Sequence, residues 1–129
     1  MALDVWIGNW DHPGSTLVTS FDPEAFYWFL YPLIEELRDS HGKYIDLYGG
    51  CEFKPQELGL IRKLISDAEA LVRQQPSRFR IQVGTQTQPV EGELYSEVDR
   101  DSFLEFLASL RAAADRCFQA AKSLHFYGD

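Results

Sequence analysis

The feature that most constrains this chain is the concentration of aromatic side chains in residues 21–34. This segment carries six of the eighteen aromatic residues of the sequence. Each ring removes roughly 150–250 Å² of surface from water when it is buried. Only a packed interior or a bound partner can satisfy so much apolar surface. The segment is therefore predicted to be the central element of the fold.

The spacing of the apolar residues in this segment predicts an α-helix. Asp22 and Pro23 are suited to the N-cap and the first helical position, and Gly42 is suited to a left-handed C-cap. Pro32 removes one backbone hydrogen bond, so we expect a kink between Trp28 and Pro32 or a helix that restarts at Pro32. The apolar stripe, at intervals of three and four residues, consists of Phe26, Phe29, Leu30, Leu33, Ile34 and Leu37.

Tyr27, Trp28 and Tyr31 lie off this main stripe. The first two turns of the predicted helix are therefore apolar around most of their circumference. Either neighbouring elements cover the helix on several sides, or one side of it is a docking face. Because large aromatic side chains are mostly buried in folded proteins, we favour the interpretation that these rings belong to the core.

Length and composition predict one compact domain. The 129 residues, 45% of them hydrophobic, fit a single hydrophobic core, so residues 1–129 are predicted to form one globular domain. No stretch reaches the length of a membrane span, and the first eight residues include Asp4 and lack a basic leader. We therefore expect a cytoplasmic protein without a membrane partner. Cys51 and Cys117 are expected to be reduced thiols.

The charge balance restricts the class of partner. Twenty acidic and twelve basic residues give a formal net charge of −8, which disfavours binding to the phosphates of nucleic acids. The basic residues are concentrated in residues 54–80, whereas residues 1–52 and 91–105 are acidic. A protein partner is therefore expected to be basic rather than acidic, and no nucleic-acid partner is expected.

Periodicity predicts two further helices and several strands. The helices cover residues 55–75 and a segment that begins at Asp99 or Asp101. Strands are predicted over residues 3–7, 43–48, 79–83, 93–98 and 125–127, with a short strand possible over 16–19 and the last strand at the sheet edge. Strands 79–83 and 93–98 are expected to pair as an antiparallel hairpin. The predicted fold is α+β, with a mixed sheet of about four to five strands and three helices packed mainly on one face.

The sequence carries no motif that indicates catalysis. His12, His41 and His125 fall in separate elements, and neither cysteine has a partner at metal-ligand spacing. No Gly-x-Ser-x-Gly motif is present, and Glu52 opposes activation of the adjacent Cys51 thiol. No catalytic residue, metal site or cofactor is predicted, and an enzyme is the less favoured class of protein.

Two groups of aromatic and acidic side chains are predicted to bind a protein, because aromatic residues anchor interfaces and carboxylates steer basic partners. The first group, in the first loop and the segment after the aromatic helix, is Trp10, Asp11, Tyr44, Asp46, Tyr48 and Glu52. The second group, in the hairpin, is Glu93, Tyr95 and Glu97, flanked by Glu91 and Asp99. The predicted function is that of a non-enzymatic protein-binding domain.

Three segments of the chain resemble parts of small uncharacterised bacterial proteins. They are the sequences YWFLYP at residues 27–32, DLYG at 46–49 and GTQT at 84–87. In size, acidity and α+β layout the whole chain also resembles the immunity proteins that neutralise toxins of interbacterial competition. The second resemblance implies an inhibitor of a basic toxin and assigns no functional residue.

The sequence leaves two other functions open. A pocket lined by Trp28, Tyr31 and Tyr48 would suit a small-ligand-binding domain or a small enzyme. The aromatic face of the first helix would instead suit the interface of a homodimer.

Overall fold

The computed structural model describes residues 3–8, 13–86 and 92–128, without the side chains of residues 84–86, 92 and 93. In chain order the elements are β1 (Leu3–Ile7), β2 (Thr16–Ser20), α1 (Ala25–His41), β3 (Gly50–Phe53), α2 (Leu58–Arg73), β4 (Arg78–Gln86), β5 (Gly92–Asp99), α3 (Arg100–Ala120) and β6 (Leu124–Gly128). A short 3-10 turn, Pro55–Glu57, precedes α2. The predicted α+β class is confirmed.

The strands form two sheets, in contrast to the single sheet that we expected. One sheet has four strands in the order β2-β1-β6-β3, and the other is the β4–β5 hairpin. All the pairings between described strands are antiparallel, so the prediction of a mixed sheet is wrong. The prediction of an edge position for the last strand is also wrong. The first and last strands pair with each other at the centre of the sheet, which local sequence patterns do not reveal.

The two faces of the four-stranded sheet differ in burial. Along β1 and β6 buried residues alternate with half-buried ones, because successive side chains of a strand point to opposite faces. The buried set includes Val5 and Phe126 and belongs to the hydrophobic core, and α3 contacts β1, β2 and β6 on this side. The half-buried set includes Trp6 and His125 and points to the other face.

The helix α1 is the aromatic segment that the sequence predicts to be central. It runs without interruption from Ala25 to His41, so the expected restart at Pro32 is wrong, and a kink there stays a prediction. The helix begins two residues after Pro23. The Pro23 carbonyl oxygen accepts a hydrogen bond of 3.1 Å from the Phe26 N–H and so forms a turn before the helix. Gly42 takes the predicted left-handed cap with φ of 71°, and its N–H donates to the Arg38 carbonyl oxygen.

The rings of α1 contact the core on several sides. Phe26 stacks on Phe103 of α3 with ring centroids 4.2 Å apart, and Phe29 meets Phe79 of β4 edge to face at 5.6 Å. Tyr27 is 1% exposed, and its hydroxyl donates a hydrogen bond of 2.8 Å to the Ile45 carbonyl oxygen. The hairpin and residues 43–49 therefore cover different sides of this helix.

The segment 43–48 is an irregular loop, so the strand predicted there is wrong. Apolar and polar residues alternate in this segment because Ile45 and Leu47 are buried in the core, although neither residue belongs to a described strand. The Tyr48 N–H donates to Asp46 Oδ1 at 3.0 Å, a turn that is typical of aspartate. The strand in this part of the chain is β3, which pairs with β6 at the edge of the sheet and lies outside the predicted strands.

The hairpin and the start of α3 agree with the predictions. β4 and β5 pair antiparallel, with Phe79 opposite Val98 on the side that packs against the helices. Asp99 caps α3, because its Oδ2 accepts a hydrogen bond of 2.9 Å from the Ser102 N–H. Within the described ranges, no helix is long and apolar enough to cross a membrane.

Candidate functional site

The described residues do not assemble a metal site or an activated thiol. No group of three or more histidine, cysteine and carboxylate side chains suited to a metal is found among them. Burial raises the pKa of Cys51 to about 11, and burial also raises the pKa of Cys117. Cys51 pairs with Phe126 on the covered face of the sheet, whereas His125 points to the other face. Both thiols are therefore suited to packing rather than to nucleophilic chemistry.

The first predicted group is divided by the fold. Tyr44 is half-buried, with its hydroxyl 3.0 Å from that of Tyr31, and this hydrogen bond is the main cause that raises the pKa of Tyr31. Asp46 is engaged in the turn of residues 46–49, while Tyr48 is 63% exposed beside it. Glu52 lies on β3, on the face of the sheet opposite to the helices. Trp10 and Asp11, also predicted for this group, lie outside the described residues.

The second predicted group faces basic side chains from the neighbouring strand. Tyr95 and Glu97 lie on the outer face of the hairpin, opposite the buried Val98. The Arg80 guanidinium lies 5.1 Å from the centre of the Tyr95 ring, and Arg78 Nε donates to Glu97 Oε1 at 2.6 Å. The backbone of Glu93 pairs with Thr85, and its side chain lies outside the described part of the chain. The outer face of the hairpin is thus mixed in charge rather than acidic.

On the side away from the helices, the four-stranded sheet presents a surface that is more continuous than either of the two predicted groups. Residues directly opposite on neighbouring strands share a face, with Cβ atoms about 4.5–5.5 Å apart. Two rows cross all four strands in this way. The first row is Leu17, Trp6, His125 and Glu52, and the second row is Ser20, Asp4, Tyr127 and Gly50. We call these eight residues the open face.

The open face combines aromatic and acidic side chains on a rigid base. Trp6, His125 and Tyr127 are half-buried, and Leu17 at the edge is 49% exposed. The Ser20 hydroxyl donates a hydrogen bond of 2.6 Å to Asp4 Oδ1. A glycine at position 50 leaves room beside the imidazole, because a Cβ there would lie 3.3 Å from His125 Nε2. The only full charges in the two rows, with histidine neutral, are the carboxylates of Asp4 and Glu52.

Sequence reasoning missed Trp6, His125 and Tyr127 as members of a common surface. The alternation in residues 3–7 separates Asp4 and Trp6 from the buried Leu3, Val5 and Ile7 and is a visible signal. The juxtaposition of these residues with His125 and Tyr127 depends on the pairing of the two ends of the chain. Among the predicted binding residues whose side chains the structure describes, only Glu52 lies on this surface.

The aromatic pocket that we expected as an alternative, lined by Trp28, Tyr31 and Tyr48, stays a prediction. Trp28 and Tyr31 contact each other with ring centroids 5.6 Å apart, and the indole Nε1 donates to Glu24 Oε2 at 3.3 Å. A groove of about 210 Å³ lies elsewhere, between α1 and α2, and leucine side chains form most of its floor. A homodimer through the half-exposed rings of α1 stays a prediction.

No family model, curated protein or solved structure matches the chain. The open face therefore has to be interpreted from its own chemistry.

Proposed function

We propose that this chain is a non-enzymatic protein-binding domain that captures a basic protein through its open face. The observation that carries the proposal is the continuous row formed by Trp6, His125 and Glu52 on three adjacent strands. Tyr127 and Asp4 extend the same chemistry into the second row. Aromatic side chains beside carboxylates are suited to anchoring and orienting a positively charged surface.

The charge distribution supports a basic partner. The formal net charge is −8, and the eight residues of the open face include two of the carboxylates and no lysine or arginine. Several basic residues of segment 54–80 are already paired within the fold. Arg62 donates to Asp115 at 2.6 Å, Lys63 to Asp67 at 2.8 Å, and Arg78 to Glu97 at 2.6 Å. These pairs neutralise part of the basic segment, and the acidic excess of the molecule favours fast association with a cationic protein.

The rigidity of the open face supports tight recognition. The side chains stand on strands whose other face is packed in the core, so their positions are set before a partner arrives. Trp6 and Tyr127 are half-buried and have few rotamers left to lose on binding. Binding to such a preorganised surface costs little side-chain conformational entropy, and this favours high affinity.

As a finer proposal, the partner is a basic toxin and the chain is its cytoplasmic inhibitor. The small size, the acidity and the α+β layout support this assignment through the resemblance to immunity proteins. Binding would neutralise the toxin if the open face covered the cationic surface that the toxin uses on its own target. This mode of inhibition requires no catalysis by the inhibitor.

Site-specific photo-crosslinking tests the binding proposal. Tyr127 is replaced by p-benzoylphenylalanine in cells that produce the protein natively, and Tyr95 of the hairpin is replaced in a matched control. We expect a basic protein to be crosslinked from position 127, with little or no product from position 95. A product from position 95 alone, or no protein product from either position, would contradict the assignment of the open face.

Growth rescue tests the finer proposal separately. The crosslinked partner is produced in cells alone, with the wild-type chain, and with the Glu52→Lys variant. We expect the partner to stop growth, the wild type to restore it, and the variant to restore it poorly because a positive charge then faces the basic partner. A partner that is harmless when produced alone would refute the inhibitor role while leaving protein binding intact.

A further inference from the structure

The groove between α1 and α2 has an apolar floor and a charged rim. Leu33 and Leu37 of α1 and Leu60 and Leu64 of α2 contribute the floor. Leu37 and Leu64 are buried, whereas Leu33 and Leu60 are half-buried and remain open to a small molecule. The cavity volume of about 210 Å³ corresponds to roughly seven groups of the size of a water molecule or a methylene.

The side chains of the rim set the sign of charge that the groove prefers. Lys63 Nζ is bound to Asp67 Oδ2 at 2.8 Å, and this bridge neutralises both groups. The Glu36 carboxylate lies near Lys63 and has no hydrogen bond or ion pair with any residue that the structure describes. The rim therefore retains one negative charge that is not paired directly.

The helix dipoles do not change this balance. His41 in the last turn of α1 and Leu60 in the first turn of α2 both line the groove. The C-terminus of a helix favours cations and the N-terminus favours anions, so the two effects offset each other. The charges of the side chains then decide the preference.

We propose that this groove binds a primary alkylammonium ion with a chain of about six carbons. The chain lies on the four leucine side chains, and the ammonium group pairs with the Glu36 carboxylate. Burial of the methylenes supplies the attraction, and the charge pair distinguishes this ligand from alcohols and carboxylates of the same length. The site is separate from the open face, so it goes beyond the proposed protein-binding function.

Titration of the full-length chain followed by methyl NMR tests the proposal. Hexylammonium chloride, hexanol and hexanoate are added in turn at about pH 8, where histidine is ordinarily neutral. We expect hexylammonium to shift the methyl resonances of Leu33, Leu37, Leu60 and Leu64 with a dissociation constant in the millimolar range. Hexanol should bind about fivefold more weakly, and hexanoate more weakly still.

Two variants and one control locate the interaction. Glu36→Gln should weaken hexylammonium binding about fivefold and leave hexanol binding unchanged. Leu60→Trp should fill the groove and abolish both, with its fold checked by circular dichroism. Glu105→Gln, an exposed acid on α3, should have no effect.

Several outcomes would overturn the proposal. Equal binding of hexanol and hexylammonium would show that the carboxylate does not select the ligand. Tighter binding of hexanoate would reverse the sign of the site. Leucine shifts that depend on protein concentration without any ligand would assign the groove to a second copy of the chain. None of these outcomes bears on the open face, so the two proposals fail independently.

Discussion

Glu52 and His125 lie directly opposite each other on β3 and β6, on the face of the four-stranded sheet away from the helices. Trp6 is the opposite neighbour of His125 on β1, so an acid, an imidazole and an indole occupy three adjacent strands. A shift of one residue in the β1–β6 or the β3–β6 pairing would point one of these side chains towards the core. The open face therefore depends on the register of the two ends of the chain.

Truncation of Phe103 should destabilise the fold strongly. This ring is 0% exposed and has ring centroids 4.2 Å from Phe26 and 5.2 Å from Phe29. Phe103→Ala leaves a cavity and should lower the free energy of unfolding by about 3–5 kcal/mol, measured by urea denaturation. Phe118→Ala on the same helix is the matched control. Its ring is 59% exposed under the Arg62 guanidinium, so the loss should stay below about 1 kcal/mol, and equal losses would contradict the core described above.

Removal of the Tyr27 hydroxyl should cost a buried hydrogen bond. Tyr27→Phe leaves the Ile45 carbonyl oxygen without its donor at 2.8 Å and should lower the free energy of unfolding by about 1–2 kcal/mol. The control is Tyr31→Phe, whose half-buried hydroxyl meets that of Tyr44 and should cost less. A Tyr27→Phe chain as stable as the wild type would show that residues 43–49 are not held by this contact.

The same hydroxyl should make stability fall at high pH. Burial raises the pKa of Tyr27 well above its ordinary value of 10.0, so the unfolded chain loses this proton before the folded chain does. The contribution of the neutral hydroxyl is complete below about pH 10 and decreases as the pH rises towards the folded pKa. The stability difference between wild type and Tyr27→Phe should therefore shrink between about pH 10 and pH 11 in urea titrations. A constant difference over this range would contradict the shifted pKa.

A methyl group at Gly128 should be poorly tolerated. A Cβ at this position would overlap the backbone carbonyl group of Leu47, a buried residue of the loop after α1. Gly128→Ala should lower the free energy of unfolding by about 1–3 kcal/mol. Gly59→Ala in α2 is the matched control, because its Cβ would meet nothing within 4 Å and should stabilise the helix by about 0.5–1 kcal/mol. In thermal denaturation we expect a lower Tm than that of the wild type for Gly128→Ala and a higher Tm for Gly59→Ala.

The sequence predicts correctly the elements that are determined by interactions between residues close together in the chain. The stripe of α1 and the glycine cap at Gly42 follow from helical spacing and from the left-handed conformation that glycine tolerates. The cap of α3 at Asp99 and the β4–β5 hairpin also follow from short-range signals. These features involve residues that are close in sequence.

The failures involve contacts between distant residues. Ile45 and Leu47 alternate with polar neighbours because they are buried under α1, and the same alternation is typical of a strand. The central position of β6 depends on its pairing with β1, about 120 residues away in sequence, and no local pattern encodes it. The open face could not be predicted for the same reason, since Glu52, His125 and Trp6 come from three separate parts of the chain.

The affinity for the crosslinked partner tests the central claim most directly. Isothermal titration calorimetry is performed with wild type, with Glu52→Lys on the open face, and with Glu97→Lys on the hairpin, at low and at moderate salt. We predict that Glu52→Lys weakens binding about tenfold or more, that Glu97→Lys stays within about threefold of wild type, and that salt weakens the wild-type complex. Unchanged affinity for Glu52→Lys, together with a loss for Glu97→Lys, would place the interface on the hairpin and contradict the account.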